Sequence, residues 1–194
     1  MNKPLPEESG IARPVAHYAK AAILFHWLVF ALIFVGFPLG LYMHGLALSP
    51  DKLRLYSYHK WIGVTVFVLA LGRLAFRALH PPPGLLPGMS AWERRAAQTA
   101  HGFLYAFMLM VPVSGWLMSS AMGFQTVWFG LIPLPDLIAK SKYLAVMLWQ
   151  LHQILNFLMV FLILLHAAAA LKHHFLQHDD TLRRMLPFVR RRKR

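Results

Sequence analysis

Residues Trp149 to His174 read WQLHQILNFLMVFLILLHAAAALKHH, and the reading of this stretch decides the fold. As an α-helix it is long and apolar enough to cross a bilayer, and it carries two histidines inside it, His152 and His166. They are fourteen residues apart, about four turns less 40°, so both imidazoles leave nearly the same face. The rise places them about 21 Å apart along the axis. One lies near each side of a hydrocarbon core about 30 Å thick. A histidine inside a membrane segment is costly and marks a ligand or a relay. Two on one stripe point to a helix that holds two large groups, one above the other.

The rest of the chain supports a membrane reading. Of its 194 residues 58% are hydrophobic and 14% charged, against roughly a quarter charged in a soluble domain. The net charge is nevertheless +13, so the charge is concentrated outside the apolar runs. There are no cysteines, which excludes disulfides, iron–sulfur clusters, thiolate zinc sites and covalently attached haem. A cofactor has to be held by other ligands, and eleven histidines are present.

Residues 1–20 are polar, with Glu7 and Glu8 beside Lys3 and Arg13. No small-residue cleavage site follows the first apolar run, so no removed signal peptide is expected. Four runs of spanning length follow, at about 21–42, 58–79, 97–120 and 143–171. Pro38, Pro112 and Gly115 interrupt runs without ending them, whereas Pro81-Pro82-Pro83-Gly84 stops the second. Asp51, Lys52 and Arg54 are assigned to the first loop, and Val127-Trp128-Phe129 to an interfacial patch in the last connection. The expected fold is all-α: an integral membrane four-helix bundle of residues 21–171, followed by a basic tail, 172–194.

Four spans put both termini on one side. That side carries fifteen Lys and Arg residues, among them Arg73, Arg77, Lys172 and the Arg190–Arg194 run, against five on the other: Lys52, Arg54, Lys60, Lys140 and Lys142. The positive-inside rule makes the termini cytoplasmic. The terminal run reads as a topology anchor on anionic lipid rather than a nucleic-acid site, because no aromatic or folded element accompanies it.

The histidines then fall into layers. His26 and His166 lie at similar depth near the cytoplasmic edge, with His101 of the third span as a competing partner for His166. His59, read as opening the second span, and His152 lie near the far side. Two His–His pairs in two layers is the pattern of two six-coordinate b-type haems, since neutral imidazole fills both axial positions of an iron. Such ligation leaves no open site for oxygen chemistry and suits electron transfer. A single membrane histidine is as readily a hydrogen-bonded packing residue; the matching depths across three helices favour haem. Zinc or copper would need three or four converging ligands without help from Cys. Gly63, Gly115 and Ala167 to Ala170 leave room for flat macrocycles or for close helix packing. His173, two turns past His166 and on the same face, is placed to exchange protons with a quinone headgroup. His17, His44, His80 and His178 fall in loops or at edges and are expected to be solvated.

The chain resembles the small bacterial dihaem cytochrome b-561 proteins with four transmembrane helices, of the superoxide oxidase type. The likeness lies in His26-Trp27-Leu28-Val29-Phe30, His59 with Gly63, Arg73 and Arg77 followed by prolines, and His101 before Tyr105. It continues in Pro112-Val113 with Gly115 and in His152 to His166. It is most specific in Leu165-His166-Ala167-Ala168-Ala169-Ala170-Leu171, then His173-His174, Thr181-Leu182, Arg184-Met185 and Pro187. It covers nearly the whole chain. The Arg-rich tail is longer than the family pattern, and the second-span match is looser.

The resemblance implies two haem b groups on His26/His166 and His59/His152. Arg73, Arg77 and His101 join the cofactor-binding set without ligating iron. It further implies superoxide:ubiquinone oxidoreductase activity in the bacterial inner membrane, with superoxide oxidised at the periplasmic face and ubiquinone reduced near the cytoplasmic side, where His173 is the catalytic residue. The far-side loops carry five basic residues against Asp51 and Asp136, and such a surface steers a small anion. Lys52, Arg54, Lys60 and Lys142 are therefore the candidate superoxide entrance. Two other readings stand beside this one: an electron-transfer subunit served by a periplasmic redox protein, and a non-redox transporter or assembly factor.

Overall fold

Helix boundaries in this chain follow capping residues more closely than hydropathy. The computed structural model describes residues 18–84 and 89–186. Within them α1 spans Lys20–Gly45, α2 Pro50–Leu79, α3 Ala91–Met122 and α4 Lys142–Phe175. All four are long and apolar enough to cross a membrane. The N-terminal segment with Lys3 and Arg13, His17, Pro187 and the basic run 190–194 lie outside the described residues.

α2 starts eight residues before the expected span. Ser49 is its N-cap, accepting from the Lys52 amide; Pro50 occupies the first turn, and Asp51 complements the N-terminal dipole. Asp51, Lys52 and Arg54 are thus helical, not loop, residues. His59 becomes the tenth residue of α2, where the sequence reading had it opening the span. α3 also starts early, through a capping box in which Ser90 accepts from the Glu93 amide and the Glu93 carboxylate accepts from the Ser90 amide. Ser141 caps α4 by accepting from the Leu144 amide. At the end of α3, Gly123 takes φ 78°, the left-handed backbone that terminates a helix at low cost to glycine.

α1 packs on α2, α2 on α3 and α3 on α4. α1 and α4 meet mainly through rings: His26–His166, Phe37–Phe157 and His44–Trp149, at 6.3, 5.7 and 5.5 Å between centroids. The core is thin, built on Val29, Val66, Ala70 and Met108. The outer surface carries Leu24, Phe34, Val68, Phe161 and Leu164 exposed, as expected of faces solvated by lipid.

Two segments cap the ends. Opposite the termini, β1 (Val127–Trp128) pairs antiparallel with β2 (Ile132–Pro133). The turn between them holds Phe129 at φ 51° and Gly130 at φ 72°. Trp61 Nε1 donates to the Val127 carbonyl at 2.7 Å and Trp128 Nε1 to Thr65 Oγ1 at 3.2 Å, which ties the hairpin down onto α2. At the terminal end, the residues after α4 fold back on the bundle instead of leaving it as a plain basic tail. Among the described residues they end in a single 3₁₀ turn, Arg183–Met185. Trp27 Nε1 donates to the Met185 carbonyl at 2.7 Å. The buried Arg184 donates to the Gly84 carbonyl at 3.0 Å and stacks over Tyr18.

Ser90→Ala removes the cap of α3 and is expected to cost about 1 kcal/mol. Reversible unfolding in mixed micelles checks this, with Ser90→Thr retaining most of the stability.

Candidate functional site

The early start of α2 brings the histidine layers into register. His59 is the tenth residue of α2 and His152 the eleventh of α4, so the two stand at matching distances from helix starts at the same end of the bundle. Their ring centroids are 6.3 Å apart, with planes at 88°. In the layer at the terminal end, His26 and His166 have the same separation, 6.3 Å, with planes at 66°. His101 lies closer to His166, at 5.2 Å. Among the described residues no group of three or more His, Asp or Glu is close enough to hold a bare metal ion.

The polar surroundings of the two pairs differ. His59 Nδ1 lies 3.1 Å from the Gly36 carbonyl. His152 Nδ1 lies 3.1 Å from the Val111 carbonyl and 2.9 Å from Ser114 Oγ. Ser114 spends its own proton on the Val111 carbonyl, 2.7 Å away, so its oxygen is an acceptor towards the imidazole. A carbonyl only accepts. Both Nδ1 atoms therefore carry the proton, and both Nε2 atoms keep a lone pair. Glycines make room for the rings: a Cβ at Gly40 would stand 3.0 Å from His59 Cε1, and one at Gly115 3.0 Å from His152 Cε1. Gly63 faces open space beside this layer. At the terminal end, by contrast, His26 Nδ1 is buried with no partner among the described residues.

Arg73 and Arg77 converge on one ring, their guanidinium carbons 5.2 and 5.6 Å from the centroid of Tyr105. With His80 and His101 they line a cavity of about 350 Å³. His80, expected in solvent, instead stacks on Phe76 at 4.3 Å at the rim of this cavity.

His173 is buried, and its Nδ1 is 2.8 Å from Asp179 Oδ2. The Thr181 amide donates to the other carboxylate oxygen at 2.8 Å, and the Asp179 amide to the His173 carbonyl at 3.1 Å. Partial burial works against the charged carboxylate of Asp179, but the hydrogen bonds from Thr181 and His173 outweigh it and hold the group below its usual range. Asp179 was missed in the sequence because it lies in a polar stretch with no periodicity; its spacing of six from His173, across a helix end, is the only signal.

The four entrance candidates do not converge. Lys52 Nζ donates to the His44 carbonyl and closes the α1–α2 turn. Arg54 pairs with Asp51 at 3.6 Å in solvent. Lys60 Nζ donates to the Phe124 carbonyl at 3.2 Å, and Lys142 is exposed in the first turn of α4.

Compared with known proteins, residues 17–188 match the family described as prokaryotic cytochrome b561. The chain belongs to the prokaryotic cytochrome b561 family. It is 35% identical over 170 residues to "Cytochrome b561 homolog 2" of Escherichia coli (strain K12), covering 87% of this chain and 90% of that one. Identity to "Cytochrome b561 homolog 1" of the same organism is 29% over 174 residues, covering 88% and 97%. Identity to "Probable superoxide oxidase CybB" of Yersinia pestis is 29% over 170 residues, covering 88% and 96%. This cytochrome b561 is accordingly a multi-pass membrane protein of electron transfer, in a family built on b-type haem.

The residues present fit such a group. An imidazole nitrogen sits about 2.0–2.1 Å from a bound metal, and the ring centre about 1.2 Å behind it, so two imidazoles opposed across one metal have centres roughly 6.4 Å apart. Both 6.3 Å pairs meet this measure, and the 5.2 Å between His101 and His166 does not. The proton on Nδ1 leaves Nε2 free to ligate at His59 and His152.

Gly115→Ala and Gly40→Ala should each displace a ring and lower haem retention, whereas Gly45→Ala, which meets nothing within 4 Å, should not; absorbance per chain after purification measures it. The depressed Asp179 carboxylate adds stability to the folded-back segment above the ordinary carboxylate range, about pH 4, and that stability is lost as pH falls through its folded value. Protection factors over 176–186, taken relative to the intrinsic exchange rate at each pH, should therefore fall on acidification, and Asp179→Asn should remove most of that pH dependence.

Proposed function

We propose that this cytochrome b561 binds two haem b groups, one on His26/His166 and one on His59/His152, and carries electrons from superoxide to ubiquinone across the bacterial inner membrane. The observation that supports it best is the repeated 6.3 Å separation of two opposed imidazole pairs, one in each membrane layer. When bound by these histidines, haem b would supply a one-electron couple. The positive-inside bias puts both termini in the cytoplasm and the hairpin end in the periplasm.

In the balanced reaction two superoxide anions each lose one electron and leave as dioxygen. One ubiquinone takes up the two electrons and two protons and becomes ubiquinol. Superoxide as donor follows the name of the Yersinia pestis relative. The basic residues at the hairpin end support it: Lys52 and Lys60 bond neutral carbonyls, which leaves their charge intact to steer an anion. With Arg54 and Lys142 they form a diffuse positive field rather than a binding pocket.

On the acceptor side, His173 is the proton donor. The Asp179 carboxylate accepts a hydrogen bond from Nδ1–H, which leaves Nε2 as the nitrogen that exchanges a proton, and protonation of the imidazole is stabilised by the adjacent carboxylate. Arg73, Arg77 and His101, gathered in one cavity, are suited to hold haem carboxylates, with Arg as a planar donor to each.

Stopped-flow mixing of superoxide with oxidised holoprotein, with and without ubiquinone, tests the reading. Haem reduction should follow superoxide addition, and quinol should form only with quinone present. His173→Ala should slow quinol formation about 100-fold while leaving haem reduction intact. Two haems per chain without superoxide-dependent reduction would favour a protein donor, and absence of haem absorption would overturn the reading altogether.

A further inference from the structure

The two imidazole pairs share a separation but not an electrostatic setting, and the difference has one direction. Around His59 and His152 the neighbours are acceptors: the Gly36 carbonyl at 3.1 Å, the Val111 carbonyl at 3.1 Å and Ser114 Oγ at 2.9 Å. An imidazole that donates Nδ1–H to an acceptor becomes the more basic ligand at Nε2. A more electron-rich ligand favours the oxidised, more positive state of a metal.

The His26/His166 pair instead adjoins His101, which lines a cavity with two cations. Arg73 and Arg77 share the Tyr105 ring and line one cavity with His101, whose ring is 5.2 Å from His166. His26 Nδ1 donates to no acceptor among the described residues. A guanidinium cannot shed its charge, and fixed positive charge in a low-dielectric surround favours the reduced, less positive state.

We propose, resting on the dihaem reading above, that these neighbours hold the two sites at different reduction potentials: the His59/His152 site is the lower and the His26/His166 site the higher. Ser114 and Arg73 are the side chains that set the gap. Neither touches a substrate: Ser114 tunes through the His152 imidazole, and Arg73 through its charge in the cavity at the His26/His166 end. The gap gives the molecule a built-in polarity. An electron is held more tightly at the end that carries His173 than at the end that carries the hairpin.

Optical redox titration of purified holoprotein tests this, with haem content measured on each sample. Wild-type protein should titrate in two waves. His152→Ala should retain one haem and only the higher wave. Ser114→Ala should move the lower wave upward, by up to about tenfold in the reduction constant or about 59 mV, and leave the higher wave in place; Ser114→Thr, which keeps the oxygen, should restore it. Arg73→Gln should move the higher wave down, with Arg73→Lys close to wild type. If Arg73→Gln sheds its haem, the ordering is still read from wild type, His152→Ala and the Ser114 pair. The proposal is overturned if His152→Ala keeps the lower wave, or if Ser114→Ala moves the higher wave or neither. A wild-type protein with fewer than two haems, or a His152→Ala variant that keeps both, overturns the dihaem reading instead.

Discussion

A buried imidazole has two nitrogens, and in a bilayer neither has water to turn to. The structure depends on how that demand is met. At His59 and His152 one nitrogen is satisfied by the backbone of a neighbouring helix, α1 through Gly36 and α3 through Val111. The hydrogen bond is therefore also a helix–helix contact. It sets the distance of α1 from α2 and of α3 from α4, it fixes the tautomer, and it aims the second nitrogen at the opposite ring. Gly40 and Gly115 serve the same end by letting those rings lie against a helix backbone. Packing, protonation and ligand geometry are one arrangement here.

That arrangement accounts for the thin core. The helices are long, yet the tightly buried cluster is small and centred on Val29, Val66, Ala70 and Met108, at the level between the two histidine layers. The contacts follow the chain from α1 to α4, while α1 and α4 face each other largely through rings. A bundle built this way leaves space at two heights and closes it in the middle. Apolar side chains gain little from leaving lipid for the bundle interior, so association must draw on other terms. The imidazole–carbonyl bonds, and haem ligation where it occurs, are the directional ones.

The sequence carried the layers because depth is a matter of counting residues, and counting is robust where apolar runs are long. It misplaced His59 within its helix because hydropathy falls off before the helix does; the Ser49-Pro50-Asp51 start signal was legible and outweighed by the charges beside it. His101 could not be separated from His26 by depth, since both lie near the same edge. The distinction lies in lateral distance, 5.2 Å against 6.3 Å to His166, which no periodicity encodes. Ser114 and Asp179 were invisible for a related reason. A serine in a membrane helix and an aspartate in a polar loop are ordinary until the fold sets an imidazole beside each.

The folded-back segment after α4 links these levels. Lys172 pairs with Glu93 at 3.1 Å, so the end of α4 is held at the start of α3. Asp179 then turns the chain under His173, and the 3₁₀ turn reaches α1 through Trp27 and the 81–84 loop through Arg184. One short stretch thereby contacts the helices that supply His26 and His166 and the loop that follows the helix of Arg73, and Met185 forms part of the cavity wall. Positive residues that read as a topology signal are partly internal: Arg184 is buried and bonded, and its charge adds to those of Arg73 and Arg77 at the same end. The terminal end of the bundle is therefore cationic by construction as well as by orientation rule. A site there favours added negative charge, whether that charge arrives as an electron or on an anionic group.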